Sequence, residues 1–229
     1  MDLRAAWDAE AERWAAWART PDHDAWFWRF NWPAFVELLP PAGRHTLDLG
    51  CGEGRGGRLL AEHGHRVTGI DGSPTLAGLA REAGGYEEVV LADAAALPFG
   101  DAAFDLVVAF MSLQDVDDLD GAVAEAGRVL APGARLCAAV LHPAASAELV
   151  PDPLAVGRYE ETIERRGLAM TFHGMHRPLE GYVAALRAAG LVLEDLREPR
   201  PDTALVDEYP ELGIALRRPQ FLHLLARRD

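Results

Sequence analysis

Hydrophobic residues follow two different spacings along this chain. Over residues 3–19 they recur every three or four positions, at Leu3, Trp7, Trp14 and Trp17, which predicts an amphipathic helix with a tryptophan stripe. From residue 46 onward, short and almost continuous apolar runs alternate with segments of helical spacing. This alternation is typical of a parallel sheet that is covered by helices on both faces.

The alternation predicts an α/β fold, a Rossmann-like, doubly wound, mostly parallel seven-stranded sheet. Its strands are expected over 46–49, 66–71, 87–92, 104–110, 134–141, 191–197 and 221–226, and its later helices over 73–84, 119–130 and 179–189. The rhythm breaks after the fifth strand, where we expect a loop over 144–158 and a hairpin formed by 158–163 and 168–172. Residues 201–218 are expected to be a long acidic connection.

Two parts of unequal size follow from this pattern. Residues 1–41 are rich in tryptophan and phenylalanine and precede the alternating region, so we predict that they form an N-terminal helical lid. Residues 42–229 form the predicted core, with a small insertion at about 142–178. The aromatic segment either closes over a ligand as a lid or only packs on the sheet.

Composition excludes several classes of function. The net charge of −14 and the lack of a basic patch argue against a nucleic-acid partner. The chain has no lysine, which excludes Schiff-base chemistry on a lysine side chain. Cys51 and Cys137 form neither a metal motif nor a disulfide framework, and no signal peptide or long apolar run is seen. We therefore expect a cytoplasmic monomer or homodimer that binds no membrane.

The glycine-rich turn that follows the first strand is the strongest candidate for a ligand site. Glycines allow a tight turn and let a ligand approach backbone N–H groups. Asp71 ends the second strand, 21 residues after Gly50, a spacing suited to a ribose. Gly52, Gly54 and Gly57 also match the dinucleotide fingerprint, but a carboxylate at Asp48 favours a cationic ligand end over a phosphate.

Five segments resemble a known family. Leu47–Gly54 resembles motif I of the class I S-adenosylmethionine-dependent methyltransferases, and Val67–Ser73 resembles the family's second strand with its ribose-binding acid. The other three resemble the adenine loop, the fourth strand, and the helix and turn before the fifth strand: Ala92–Phe99, Phe104–Phe110 and Glu125–Ala134. The resemblance covers about residues 42–143 and implies S-adenosyl-L-methionine as cofactor and S-adenosyl-L-homocysteine as product.

The resemblance also implies roles for individual residues. Glycines of motif I would let the methionine part of the cofactor pass over the backbone, and acids would bind its amino group, ribose and adenine N6 in turn. An apolar pair would flank the adenine, and a residue after the fourth strand would border the sulfonium. The implied cofactor-binding set is Asp48, Gly50, Cys51, Gly52, Asp71, Gly72, Leu76, Asp93, Ala94 and Met111. Arg13 or Arg29 is expected to pair with the cofactor carboxylate.

Three histidines are candidates for a catalytic base. His142 directly follows the fifth strand, where open α/β sheets bind ligands, although it is equally suited to ordering the turn at Pro143. His173 and His176 lie in the insertion, as a base or as donors to the acceptor; their segment is not helical, so we expect no metal site. The candidate acceptor-binding residues are Trp28, Gln114, Asp115, Tyr159 and Tyr182, with a buried structural role as the alternative for the tyrosines.

Three functions remain open at this point. The first is an S-adenosylmethionine-dependent methyltransferase, hence a transferase, that acts on a small-molecule acceptor. We expect this methylation to belong to natural product biosynthesis. The second is a nucleotide-dependent oxidoreductase, which needs room for a pyrophosphate at the glycine turn. The third is a non-methylating relative that binds the same cofactor, because its cofactor site would look the same.

Overall fold

A computed structural model describes residues 2–43 and 45–229. Its centre is a seven-stranded sheet in the order β3-β2-β1-β4-β5-β9-β8. All neighbouring pairs are parallel except those made by β9, which runs antiparallel to β5 and β8. The strands are β1 Thr46–Leu49, β2 Val67–Asp71, β3 Glu88–Leu91, β4 Phe104–Phe110, β5 Leu130–Leu141, β8 Leu191–Arg197 and β9 Phe221–Arg228. The predicted fold class is confirmed.

Helices cover the sheet, and several begin where the sequence places a cap. Ser73 caps α4 by accepting a hydrogen bond from Leu76 N–H at 3.0 Å, with Pro74 in the first turn. Asp2 and Asp118 cap α1 and α5 in the same way. The helices are α1 Leu3–Ala18, α2 Trp32–Val36, α3 Arg55–Glu62, α4 Pro74–Ala83, α5 Leu119–Val129, α6 Pro143–Ser146, α7 Leu179–Ala188 and α8 Thr203–Glu208.

The predicted hairpin exists, but its strands are longer than expected. Strand β6 covers Gly157–Arg165 and β7 covers Leu168–His176, joined by a turn at Arg166 and Gly167 that both adopt positive φ. Together they form a separate two-stranded sheet. His173 and His176 therefore lie in a regular strand, beyond the end at residue 172 that the sequence predicted for it.

Two segments predicted as loops contain short helices. Residues 144–158 include α6 and a 3₁₀ turn, Ala147–Leu149, and residues 201–218 include α8 and a 3₁₀ helix, Pro210–Leu216. Their apolar residues are too few for a periodic pattern, so tertiary contacts decide the conformation. Strand β5 also begins at Leu130, before the predicted start, because the sequence Pro132-Gly133 does not end its pairing with β4.

The N-terminal segment packs in two directions. Helix α1 lies on the hairpin, where the rings of Trp14 and Trp17 meet the ring of Phe172 edge-on at 6.1 and 5.7 Å. Further along, a π-helix at Trp26–Asn31 leads into α2, and Phe27 and Phe35 share an apolar core with strands β4 and β5. None of the helices formed by residues 2–43 and 45–229 has the length and apolar character needed to cross a bilayer.

Candidate active site

A cavity of about 680 Å³ lies at the carboxyl ends of β1, β2 and β4, beneath α1 and the hairpin. This is the edge at which open α/β sheets bind ligands. All ten residues that the sequence assigned to a cofactor line it: Asp48, Gly50, Cys51, Gly52, Asp71, Gly72, Leu76, Asp93, Ala94 and Met111. The structure therefore brings these ten residues together on the wall of one cavity, and the part of the cavity that they line is its first half.

The turn after β1 requires glycine at its first position. Gly50 has a φ of 76°, and a Cβ added there would lie 2.5 Å from the Cβ of Ser112, well inside contact distance. Gly52 has a φ of 58° and faces helix α1, since a Cβ there would lie 3.3 Å from Trp14 Nε1. The backbone of this turn consequently forms one wall of the cavity.

Asp71 is held by the same turn. Its Oδ2 accepts a hydrogen bond from Gly52 N–H and its Oδ1 one from Ser73 N–H, both at 2.8 Å. Burial raises the pKa of this carboxyl above its usual value, although these hydrogen bonds oppose the shift. Each carboxylate oxygen keeps a second lone pair, so Asp71 can still accept two hydroxyl groups from the cavity.

Asp48 lies beneath the turn and is buried, with no cationic partner among the residues that the structure describes. Burial raises the pKa of Asp48 to about 7; the hydrogen bond from Tyr86 lowers it, and the nearby charge of Asp71 raises it further. The Tyr86 hydroxyl lies 2.7 Å from Asp48 Oδ2. An ammonium group of a ligand would supply the missing positive charge, so the site fits a cationic ligand end and disfavours a phosphate.

The first turns of α1 close the cavity above the ends of β2 and β3, next to Asp71 and Asp93. Asp93 is exposed at the rim, where it pairs with Arg4 of α1 and accepts a hydrogen bond from Ala95 N–H at 2.9 Å. Asp8 of the same helix pairs with the Ser73 hydroxyl and accepts from Thr75 N–H at 3.1 Å. The helix therefore lies directly above the residues assigned to the ribose and the adenine.

Two ion pairs that the sequence did not reveal connect the N-terminal segment to the glycine turn and the start of α3. Glu53 is fully buried and binds Arg19, at the end of α1, at 2.8 Å, and Arg58 at 3.0 Å. Arg55 binds Asp24 at 2.7 Å, and its guanidinium carbon lies 3.5 Å from the centre of the Phe27 ring. The pairs Arg19–Glu53 and Arg55–Asp24 join residues that are more than 30 positions apart, so no local pattern in the sequence indicates them.

Aromatic rings from five parts of the chain line the remainder of the cavity, which is its second half. One of these rings, Trp14, also reaches the glycine turn. Helix α1, the π-helix, the hairpin, β4 and β9 each contribute; the rings belong to Trp7, Trp14, Trp17, Trp26, Phe27, Phe110, Tyr159, Phe172 and Phe221. A few polar groups interrupt them. Gln114 Oε1 and His173 Nδ1 are buried without a hydrogen-bond partner among the described residues, and Glu160 Oε1, 3.4 Å from His173 Nδ1, is too far for a good one.

Four predicted residues do not line the cavity. His142 caps α6, accepting from Ala144 N–H at 2.9 Å, and its Nε2 lies 3.0 Å from Glu198; burial lowers its pKa. His176 uses both ring nitrogens, on Ser146 Oγ at 2.7 Å and on the carbonyl of Pro153 at 2.9 Å. These two histidines are structural, which corrects their assignment as candidate bases.

The other two are aromatic. Trp28 donates its Nε1–H to the carbonyl of Ala18 at 3.2 Å, and Tyr182 belongs to an apolar core that includes residues of α5 and α7. Neither reaches the cavity, which corrects their assignment to the acceptor. Arg13 and Arg29 are also absent from the cavity wall, because Arg13 pairs with Glu10 and Arg29 lies over the ring of Tyr209.

Comparisons with known proteins bear directly on this architecture. Residues 47–138 match the family model described as a methyltransferase domain. Over 86% of its length the chain also superimposes on 97% of an S-adenosylmethionine-dependent methyltransferase from Mesorhizobium loti, with a TM-score of 0.67 and 29% identity. Residues 47–138 are therefore a methyltransferase domain of the class I S-adenosylmethionine-dependent type. This domain supplies both the glycine turn and the acids of the cavity.

Two further likenesses have a narrower meaning. The O-methyltransferase cnsE of Penicillium expansum is 39% identical over 139 residues, which are 56% of this chain and 48% of that protein. The chain thus spans about half the length of the curated relatives it matches. The [4+2]-cyclase SpnF has a TM-score of 0.67 at 21% identity and covers 99% of the chain, a likeness that shows the fold alone.

Proposed function

We propose that this protein transfers a methyl group from S-adenosylmethionine to a small-molecule acceptor. One observation carries the proposal: Asp48, Asp71 and the backbone of the glycine turn converge on a single cavity, with Asp48 buried and lacking a cation. A ligand with an ammonium group at one end and a ribose at the other fits these groups. S-adenosylmethionine has that arrangement.

Each part of the cofactor has a named partner in the proposal. Asp48 faces its amino group, Asp71 accepts from its ribose hydroxyls, and Asp93 accepts from its adenine amino group. Leu76 and Ala94 flank the adenine ring, and Met111 borders the sulfur. Met111 has a φ of 55°, unusual for a side chain of its size, and this conformation turns the chain away from β4 at the reacting centre.

The chain's own contribution to the reaction is alignment and exclusion of water. When bound, the cofactor supplies an electrophilic methyl group on a sulfonium. Residues 2–41, acting as a lid, and the hairpin cover the cavity, so an acceptor is held in line with that methyl group and shielded from solvent. The ion pairs of Glu53 with Arg19 and of Arg55 with Asp24 hold the lid in a fixed position relative to the glycine turn.

A small acceptor suits the size and enclosure of the cavity. About 680 Å³ must hold both ligands, which leaves room for a compound of modest size beside the cofactor. Relatives that are named O-methyltransferases support methyl transfer to oxygen. The proposal extends to a cytoplasmic monomer or homodimer in natural product biosynthesis, in keeping with two unpaired, buried cysteines and with these relatives.

The oxidoreductase alternative is less well supported by the glycines. A Cβ at Gly57 would lie 2.0 Å from the Tyr86 ring, and one at Gly54 would lie 3.1 Å from Ala80 Cα. These two positions of the dinucleotide fingerprint are therefore explained by packing within the protein. Asp48 beside the turn would also repel a pyrophosphate.

Calorimetric titration tests the proposal. The purified protein is titrated with S-adenosylhomocysteine and, as a control, with NAD⁺. We expect micromolar affinity for the first and no measurable binding of the second. Binding of NAD⁺ without binding of S-adenosylhomocysteine would refute the proposal and favour the oxidoreductase.

A further inference from the structure

We propose that the acceptor is a planar aromatic compound whose hydroxyl group meets Asp115, and that Asp115 receives the hydroxyl proton during methyl transfer. This inference rests on the proposed function, because it assigns the acceptor to the second half of the same cavity. It adds a substrate class and a catalytic residue to that function.

The walls of this half favour a flat ring system. Trp7 from α1, Phe172 from β7 and Tyr159 from β6 face the same space from different directions. The Trp7 ring meets both the Trp14 ring, at 5.7 Å, and the His173 ring, at 6.3 Å, edge-on. Rings fixed in this way offer edges and faces to an aromatic ligand, a contact that a saturated ligand of equal size does not reproduce.

The polar groups at the inner end of this space are hydrogen-bond acceptors. Gln114 is almost fully buried; its Nε2 donates to the carbonyl of Met111 at 2.6 Å, and its Oε1 is left unpaired. The Asp115 carboxyl follows in the same 3₁₀ turn and lines the cavity. A ligand that satisfies this end must therefore bring a donor, and a hydroxyl group is one.

The turn that carries these two residues is held from behind. The guanidinium of Arg177, which is buried, donates to the carbonyl oxygens of Leu113, Val116 and Asp117 at 3.4, 2.6 and 3.2 Å. The turn begins directly after Met111 and Ser112, which border the position proposed for the sulfonium. A hydroxyl oxygen beside Asp115 is thus placed at the reacting end of the cofactor site.

Its surroundings make the Asp115 carboxylate a stronger base than that of an ordinary aspartate. Burial and the charge of Asp71 raise its pKa well above the ordinary value, while Arg177 and the hydrogen bond with Gln114 oppose the shift. Tyr159 lines the same space and stays protonated, because burial raises its pKa. A carboxylate with a raised pKa takes up a proton more readily near neutral pH than an ordinary aspartate does.

The step balances as follows. The O–H bond of the acceptor breaks and its proton passes to a carboxylate oxygen of Asp115, while an oxygen lone pair forms the new bond to the methyl carbon. The pair of electrons in the carbon–sulfur bond returns to sulfur. The products are an aryl methyl ether, a neutral thioether and a protonated Asp115, which then releases its proton to water.

Binding of simple probes tests the ring preference. With saturating S-adenosylhomocysteine present, the full chain is titrated with 2-naphthol and with 2-decalol, its saturated counterpart. We expect 2-naphthol to bind at least about tenfold more tightly. Trp7→Leu and Phe172→Leu should each weaken 2-naphthol about three- to tenfold, whereas Trp28→Leu, which changes a ring outside the cavity, should not.

A cycle of two ligands and two proteins tests Asp115. We expect wild type to prefer 2-naphthol over naphthalene by about tenfold or more, and Asp115→Ala to lose that preference. Asp115→Asn, which keeps the shape of the side chain, should show an intermediate preference and serves if the alanine variant does not fold. An unchanged preference in these variants would overturn the role of Asp115.

The outcomes separate this inference from the function on which it rests. If S-adenosylhomocysteine binds but 2-naphthol does not, or binds no better than 2-decalol, the aromatic acceptor is refuted and the methyltransferase stands. If S-adenosylhomocysteine itself fails to bind, the proposed function fails, whatever the naphthol titrations show.

Discussion

The hydroxyl of Tyr86 donates a hydrogen bond to Asp48 Oδ2 at 2.7 Å and accepts one from the backbone N–H of Gly57 at 3.1 Å. The Tyr86 ring fills the space above Gly57 that any larger residue would need. A single side chain thus links the end of β1 to the first turn of α3. The protonation of Asp48 is consequently coupled to the packing of the helix that follows the glycine turn.

This coupling predicts how stability depends on pH. Asp48 has a pKa of about 7 in the folded protein and near 4 when unfolded, so the folded state binds the extra proton between these values. The contribution of Asp48 to the free energy of unfolding is therefore largest below pH 4. It falls by a few kcal/mol as the pH rises towards 7. Asp48→Asn removes that loss, and the variant should gain stability relative to wild type at pH 8 but not at pH 4.

Chemical denaturation of both proteins at pH 4 and pH 8 measures the difference. Asp207→Asn, a change of the same kind at an exposed position of α8, is the control and should leave the pH dependence intact. If Asp48→Asn has the same pH dependence as wild type, Asp48 is already ionised at neutral pH, and the argument for a cation-accepting site weakens.

A second prediction concerns the protons released on binding. Without ligand, about half of the Asp48 carboxyls are protonated at pH 7. The ammonium group of S-adenosylhomocysteine should lower this pKa, so that binding at pH 7 releases up to about half a proton per site. Calorimetry in buffers of different ionisation enthalpy measures the number. Asp48→Asn should release fewer protons, and equal release by both proteins would contradict the assignment.

A third prediction concerns the ribose. Asp71→Ala removes the acceptor of two ribose hydroxyls and should weaken S-adenosylhomocysteine at least about tenfold. It also leaves Gly52 N–H and Ser73 N–H without their partner, so the variant should be less stable. Asp93→Ala is the comparison, since Asp93 is exposed at the rim and its loss should cost less affinity. Unchanged affinity in Asp71→Ala would refute the ribose assignment.

The sequence predicts which residues line the cavity at the glycine turn, its first half, far better than it predicts those that line the second half. Asp48, Gly50 and Asp71 lie in segments whose strand, turn and helix are fixed by local pattern, and parallel strands must end at one edge of the sheet. The second half is assembled from α1, the hairpin and the end of β9, and no spacing in the sequence states how these meet. For this reason the sequence did not identify Phe172 and Arg55 as residues of the cavity wall.

The histidines show the same limit in a different way. His142 follows a strand at the correct edge, so its position alone favoured a functional role, but its ring turns back to cap α6. Only His173 among the three reaches the cavity, because neighbouring residues of strand β7 alternate between its faces. The direction of a side chain at a strand end depends on its hydrogen-bond partners, which are not local in sequence.

A fourth prediction follows from that geometry. His142→Ala should leave the affinity for S-adenosylhomocysteine unchanged, because His142 lies outside the cavity wall. It should cost about 1 kcal/mol of stability through the lost cap of α6. Calorimetry and thermal unfolding of the variant check both statements. A large loss of affinity, with stability intact, would return His142 to the site.

The last prediction tests the fastening of the lid. Arg55→Met leaves Asp24, which is buried, without its cation, and should destabilise the protein by about 3–5 kcal/mol. Adding Asp24→Asn removes the stranded charge but keeps an acceptor for Phe27 N–H, now 3.1 Å from Asp24 Oδ1. The double variant should therefore be more stable than Arg55→Met alone. Guanidinium denaturation of wild type, both single variants and the double variant gives the coupling, and additive effects would show that the pair does not fasten the lid.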